Sequence, residues 1–580
     1  MNINEQTGIP ISPALADLPT PEGSSHTSKP SKKRLLQISL LSIGVAVVIS
    51  FIAKFLVELI NVVTNLFFYG TFDLHFRSPA DNNLGLFVIL IPAIGGVIVG
   101  FMALYGSKAI RGHGIPEAME QVLTNQSKIK PSIAFLKPIS SAIAIGSGGP
   151  FGAEGPIIAT GGALGSTVGQ LFKITPNERK IILSAGATAG MSAIFGTPIA
   201  AVFLAIELLL FEFSPKAILP VALACITGAA GHQFLFESGP VFPMPNLEIP
   251  TNFALAIYSA IGLVIGFLSL GLTKIVYWIE DMFEELPIHW MWWPAIGGLA
   301  VGLVGYFAPH TLGVGYDNII SILSGKISLT LLISLCLFKF ISWSIALGSG
   351  TSGGTLAPLL TIGGAAGAII GIGLTLLFPS LKISIPMAAL IGMSSMFAGA
   401  SRAYLTSITF ALEATMQSNA LLPLLGACTA SYLVSFFFME NTIMTEKIAR
   451  RGIYTPDSYE PDILRSLTVA QVLGKGNKNP KKVPALEDLL AKKLPILREN
   501  DPLAKAVDLM SATEQEFLPV TSADGTGSIV GIITYKDVLH AYRQYHQDNQ
   551  EAGVNLSLKR QRKKMIIRGR NFVDRNKNND

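Results

Sequence analysis

Apolar residues in this chain fall into long runs, not into the short alternating patterns of soluble sheets. Runs long enough to cross a hydrocarbon layer as helix, about 20 residues, lie at 35–60, 85–105, 139–165, 181–210, 217–235, 252–279, 292–308, 327–347, 355–378, 386–412 and 420–438. They predict an all-α polytopic bundle with roughly ten or more membrane segments. A polar, Ser/Pro-rich stretch, 1–34, precedes the first run and is expected to be disordered. The first run is too long and too weakly cleavable for a signal peptide and is expected to be a retained helix. The pattern changes after about residue 453. Leu503, Ala506, Val507 and Met510 mark one helical face, Phe517 to Val520 a strand, Asp524-Gly525 a turn, Ile529 to Ile533 a second strand and Tyr535 to Tyr542 a helix. The expected organisation is therefore a membrane domain over 35–452, a small α/β domain over 453–548 and a basic disordered tail over 549–580.

Composition agrees with a chain that faces lipid. Half of the 580 residues are hydrophobic and only 14% are charged, too few to solvate the surface of a soluble protein. The net charge of +5 gathers at the ends of the membrane region. Lys29, Lys32, Lys33 and Arg34 precede the first span, and Lys447, Arg450 and Arg451 follow the last. Basic flanks stay cytoplasmic, so both termini are expected inside, in a bacterial inner membrane. The tail from Lys559 to Arg570 reads either as a lipid-touching segment or as a solvated disordered one. Cys225, Cys336 and Cys428 sit inside apolar runs without disulfide or metal-ligand spacing and are expected to be packing residues. No metal and no nucleic-acid partner are expected. An intramembrane enzyme is disfavoured, because eight histidines occur without an HExxH arrangement.

The membrane region repeats itself. PAIGG at 92–96 recurs at 294–298, the Gly-rich segment starting at Gly146 recurs from Gly348, and GMSAIF at 190 recurs as GMSSMF at 392, all at an offset of 202. GHGIPE at 112 has a weaker echo in GVGYDN at 313, one residue out of step. Such duplication, here over about 85–235 and 290–440, places a transporter's site near the membrane midplane, between repeats and on broken helices. Whether the second copy is inverted does not follow from the residues.

Three motifs describe what that site binds. GHGIP (112–116), GAEGP (152–156) and GGTLAP (353–358) each put Gly and Pro at the edge of an apolar run, a pattern that starts helices inside the membrane. Buried helix starts present unpaired amides and the positive end of the helix dipole, which favour an anion without a full positive charge. The bland alternative is close helix packing; three such motifs in a duplicated frame outweigh it. No Lys-Ser/Thr follows the glycines, which removes a phosphate loop.

These motifs resemble the pore motifs GSGIPE, GREGP and GGIFAP of the CLC family of chloride channels and chloride/proton antiporters, and MTEKIARRG (444–452) matches the start of its last pore-lining helix. The resemblance, over about 35–450, implies a CLC-type inverted-repeat bundle and a homodimer with one anion path per subunit. It makes Glu154 the gating glutamate, which fits the expense of an acid in an apolar segment. A structural pairing of Glu154 with Lys137 is the competing reading. The resemblance places the anion among His113, Gly114, Ile115, Ala153, Glu154, Gly155, Thr355, Leu356 and Met444. Both pore hydroxyls of the family are missing, because His113 stands at the serine and Met444 at the tyrosine; Ala153 and Leu356 replace the usual Arg and Phe. In FGTPIAAVFLAIELL (195–209) the position of the antiporters' internal proton-transfer glutamate is Leu208, which tilts the expectation mildly toward passive conduction. Glu207 and Glu413 are expected to satisfy helix-end amides before transferring protons.

FLPVTSADGTGSIVGIITYKDVL resembles a CBS module, with Val469 to Leu473 as a candidate opening strand. In that family the pair matched by Thr534 and Asp537 often contacts the ribose of an adenine nucleotide; a purely structural module is the alternative. Channel or proton-coupled exchanger, with chloride, fluoride or nitrate as the anion, and a flux-free sensor all stay open at this level.

Overall fold

The computed structural model describes residues 32–550 apart from 173, 237–238, 380–382, 457–463, 465–466, 477–494 and 523–528. The basic tail, most of the Ser/Pro-rich start and the Asp524-Gly525 turn lie outside the described residues. Among those described, eight helices are long and apolar enough to cross a membrane, from Lys32–Tyr69 to Ser418–Phe438. The outer helices are inside out relative to a soluble protein. Phe51 and Phe55 on Lys32–Tyr69 and Phe436 and Phe437 on Leu421–Phe438 are more than half exposed, an apolar surface that needs lipid against it. The interior holds small residues instead, and every residue from Ile181 to Phe195 is buried.

Three of the runs expected as single spans are pairs of shorter helices. The run 139–165 divides into Ile133–Gly146 and Glu154–Leu171. The run 181–210 divides into Pro176–Phe195 and Pro198–Leu204, continued by a π-helical turn over Ala205–Leu210. The run 386–412 divides into Ile385–Ser401 and Tyr404–Thr415. Hydropathy misses the first two breaks because their residues are small or apolar, and the third because the single charge of Arg402 is averaged away among apolar neighbours. Gly148 has φ +103 and Gly196 φ +61, angles open to glycine at little cost, and Pro198 then opens the next helix. At the second-repeat break Arg402 takes the left-handed turn at φ +58, and its guanidinium donates to carbonyls of Ser435 and Met439.

Packing between the repeats settles their relative direction. A methyl group on Gly96 would overlap the Pro294 carbonyl, and one on Gly298 would overlap that of Pro92. Farther along, Gly100 faces the Met291 carbonyl and Gly302 that of Ile89. The early part of Leu90–Tyr105 thus lies against the late part of Trp293–Phe307, and the reverse also holds. The two copies run antiparallel, so the second repeat is inverted. Glutamates exchange across the same axis. Glu207 accepts from the amides of Leu405 and Thr406 (2.8 and 3.0 Å) and from Thr406 Oγ1 (2.6 Å), while Glu413 accepts from the amides of Ile199 and Ala200 (3.0 and 2.8 Å). Each repeat caps a broken helix of the other, as expected for these two acids.

Both ends of the membrane domain lie at one end of the molecule. Arg34 grips Glu178 at 2.6 and 2.7 Å, Arg179 donates to the Gln126 carbonyl, and Arg451 reaches Glu120 at 2.5 Å. Gln471 of the following domain touches the Thr124 carbonyl from that side. The following domain has three strands, Leu497–Arg498, Phe517–Thr521 and Ile529–Thr534, with the first parallel and the last antiparallel to the middle one. Leu503–Thr513 and Tyr535–Gln550 are helices, as the sequence predicts. The opening-strand assignment is corrected: Val469–Gly476 is a helix, with Val469 and Val472 buried on one face, and Leu497–Arg498 supplies the parallel strand.

Replacing Glu207 by Ala leaves two amides and a hydroxyl without an acceptor inside the bundle. The expected loss is roughly 2–4 kcal/mol, read as a clear fall in the thermal unfolding midpoint of the detergent-purified protein. Glu413→Ala, which orphans two amides, is expected to give a smaller fall.

Candidate anion site

Three buried loops meet where the repeats face each other, and each ends in a helix start. Gly112 and Gly114, at φ +101 and +97, lead into Ile115–Thr124; Gly152 leads into Glu154–Leu171; and Gly353 and Gly354 lead into Leu356–Leu377. Main-chain bonds tie the loops together. Gly152 and Gly354 exchange amide-to-carbonyl bonds of 3.2 and 3.0 Å, and the Gly112 amide donates to Thr351 at 3.2 Å. The approach needs glycine at the crossing, because a methyl on Gly155 would overlap the His113 carbonyl and one on Gly114 the carbonyl of Gly155.

Two lysines that the repeat relates, Lys137 and Lys339, brace the loops from behind. Lys137 Nζ donates to the carbonyls of Ile110 and Gly112 (2.8 and 2.9 Å), and Lys339 Nζ to those of Gly313 and Val314 (2.8 and 3.4 Å). Both are essentially unexposed. Lys137 therefore serves its own loop and does not pair with Glu154, which removes the structural reading of that acid. The residue signal was present: the two lysines are 202 apart, the offset of the repeat.

Glu154 is wholly buried at the first position of its helix. Its Oε1 accepts a 2.8 Å bond from the Tyr316 hydroxyl, whereas Oε2 has no hydrogen-bond partner. The main-chain amides of Glu154 and Ala357, from the first turns of two of the three helices, also face the carboxylate, outside hydrogen-bond geometry. The carboxylate folds back over its own loop, since a methyl on Gly152 would overlap it and one on Gly354 would come within 3.2 Å of Oε2. It occupies ground where the dipoles of helix starts favour negative charge.

The other expected residues gather round the same knot with unequal roles. Ile115, Ala153, Thr355 and Leu356 are buried beside it. His113 is 3% exposed and its Nδ1 has no partner. The Gly114 amide is not open to an anion: Glu117 Oε2 accepts from it at 2.6 Å. The Met444 amide is likewise engaged, by Thr442 Oγ1 at 3.2 Å, and Met444 is fully buried just ahead of the short Glu446–Arg450 helix. Leu208 packs in the apolar core next to Leu204 and Leu209, and its neighbour Glu207 is committed to capping.

On the side of Arg451, a cavity of about 1080 Å³ reaches in to Gly114 and Glu117. Lys108, Arg111, Lys128, Lys130, Lys137, Lys447 and Arg451 outnumber the acids Glu117, Glu120, Glu280 and Glu284 on its wall. Lys447 stands 3.8 Å from Glu117 and 3.7 Å from Glu280. A concave wall of one prevailing sign concentrates anions at its mouth.

The residue that sequence reasoning missed is Tyr316. Its signal was the GVGYDN echo, which sets Gly315-Tyr316 against Gly114-Ile115 in the repeat.

Comparison with known proteins places this geometry in a family. The chain is 29% identical to "Chloride channel protein CLC-e" of Arabidopsis thaliana over 377 residues, 60% of this chain and 52% of that protein, so it spans about half the length of that relative. It is 27% identical to "H(+)/Cl(-) exchange transporter ClcA" of Yersinia pestis over 392 residues, 64% of this chain and 81% of that one. Its fold matches the crystal structure of a slow cyanobacterial Cl−/H+ antiporter with a TM-score of 0.63 at 23% identity, covering 71% of this chain and 98% of the other. A CBS domain model matches residues 486–544. Residues 94–436, which hold most of both repeats and the three glycine-rich helix starts, match the "Voltage gated chloride channel" model, and the chain belongs to that family, the CLC proteins.

Proposed function

We propose that this CLC protein carries chloride, or a small anion of like chemistry, across the membrane in exchange for protons, with Glu154 as the moving gate. The observation that carries the reading is the Glu154 carboxylate, wholly buried, facing amides from two helix starts and holding one oxygen without a partner. An ionised carboxylate there competes with the anion for the same dipoles; protonation removes that competition and frees the side chain to leave. Proton coupling is supported by the likeness to the exchange transporter of Yersinia pestis. Anions enter from the basic cavity, which the positive-inside rule assigns to the cytoplasm, together with both described ends of the chain. The assembly is proposed to be a homodimer with one path in each subunit.

A second reading, passive conduction, is favoured by one observation. Leu208, in the place of the antiporters' internal proton glutamate, is packed in apolar surroundings and carries no proton.

At the cytoplasmic module, Asp537 Oδ2 accepts from the Thr534 amide and hydroxyl (2.9 and 2.6 Å), and Thr534 Oγ1 accepts from the Asp537 amide at 3.3 Å. The pair caps its own helix, so an adenine nucleotide bound there would add to these bonds.

Purified protein in liposomes under a chloride gradient is expected to give a reversal potential that moves when a pH gradient is added. A potential fixed at that of chloride alone would make the chain a channel. Glu154→Gln is expected to keep anion flux while losing proton movement altogether, measured with a pH electrode beside chloride efflux. Neutralising the cavity mouth with Lys447→Gln and Arg451→Gln is expected to slow initial chloride uptake by roughly two- to tenfold at low ionic strength. That difference should vanish at about 1 M salt, where the screening length is near 3 Å.

A further inference from the structure

Tyr316 takes a place in the duplicated frame that the first repeat gives to an apolar residue. Gly114 and Gly315 both adopt positive φ, +97 and +77, and the next residue in each case opens a short helix: Ile115 in one repeat, Tyr316 in the other. The repeat is thus asymmetric at a position whose side chain reaches Glu154. Phe195 meets the Tyr316 ring at 5.8 Å and 70°, Phe242 at 5.9 Å and 63°, and Phe410 meets Phe195 at 5.1 Å and 89°. Edge-to-face packing on two sides fixes the ring. The ring is only partly buried, as a wall of an ion path would be. The donor is therefore held in place by its aromatic neighbours, and the carboxylate accepts from it by Oε1.

We propose that Tyr316 is the latch of the Glu154 gate, a positioning residue whose hydroxyl holds the carboxylate across the path and passes to the transported anion when the carboxylate leaves. A hydroxyl among phenylalanines is poorly placed without an acceptor, so its departing partner must be replaced, and an anion at the site of Oε1 replaces it. One donor thereby serves gate and anion in turn. This supplies a pore hydroxyl to a chain that has neither of the two its family resemblance leads one to expect, with His113 and Met444 in their places.

The inference rests on Glu154 as gate, and four proteins in liposomes separate the two claims: wild type, Tyr316→Phe, Glu154→Gln and the double variant. Tyr316→Phe is expected to raise chloride turnover on the order of tenfold, the size of one hydrogen bond to a charged group, and to lower the protons moved per chloride. In the Glu154→Gln background the same change is expected to leave turnover unaltered while weakening chloride binding several-fold by calorimetry. 3-Fluorotyrosine at 316, a stronger donor of the same shape, is expected to act oppositely on the wild type and slow turnover; it keeps the test valid if Tyr316→Phe fails to fold. Equal turnover in wild type and Tyr316→Phe, or an equal change in both backgrounds, overturns the latch. Glu154→Gln indistinguishable from wild type overturns the gate itself.

Discussion

A helix that starts inside a membrane brings unpaired amides to a place with no water to satisfy them, and this protein is organised around that constraint. Four glutamates answer it at four helix starts. Glu117 takes the Gly114 amide, Glu207 takes the amides of Leu405 and Thr406, and Glu413 takes those of Ile199 and Ala200. All three are held by main-chain donors at hydrogen-bond distance and are fixed parts of the scaffold. Glu154 differs in kind. Its hydrogen bond comes from a side chain, the Tyr316 hydroxyl, and none comes from a main-chain amide. The same chemistry thus builds three structural caps, while Glu154 has no main-chain bond to hold it in place.

Much of this was legible in the residues. The offset of 202 located the repeat, the Gly and Pro placement located the buried helix starts, and an isolated acid among small apolar residues marked Glu154. The capping roles of Glu207 and Glu413 followed from the expense of a bare carboxylate in a bundle. The breaks within the long apolar runs were not legible, because a left-handed turn at Gly196 leaves mean hydropathy unchanged and the single charge of Arg402 is averaged out over its apolar run. Inversion of the second copy was also out of reach, since the motif PAIGG reads the same whichever way the helix runs; only the reciprocal contacts of Gly96 and Gly298 reveal it. Val469 to Leu473 misled for a local reason: a short β-branched and apolar run suits a strand or one turn of a buried helix equally well.

The lysines Lys137 and Lys339 show how far the duplication governs the interior. Each is buried, each holds the carbonyls of the loop before a short helix, and neither neutralises an acid beside the path. Each lysine is thereby engaged by loop carbonyls, and the helix-start amides are left as the weak donors that suit a site releasing its anion quickly. Where the repeats diverge, at Ile115 against Tyr316, the divergence falls on the residue that bonds Glu154 and not on the frame.

The reciprocal capping by Glu207 and Glu413 bears on how such a chain could have arisen. Neither half can satisfy the amides of its own broken helix, because the carboxylate that does so belongs to the other half. A single-repeat ancestor carrying the same glutamate would have met this need only by pairing with another copy of itself inserted upside down. Gene fusion would then fix a partnership between oppositely oriented protomers, with dual insertion of one short polypeptide as its starting condition.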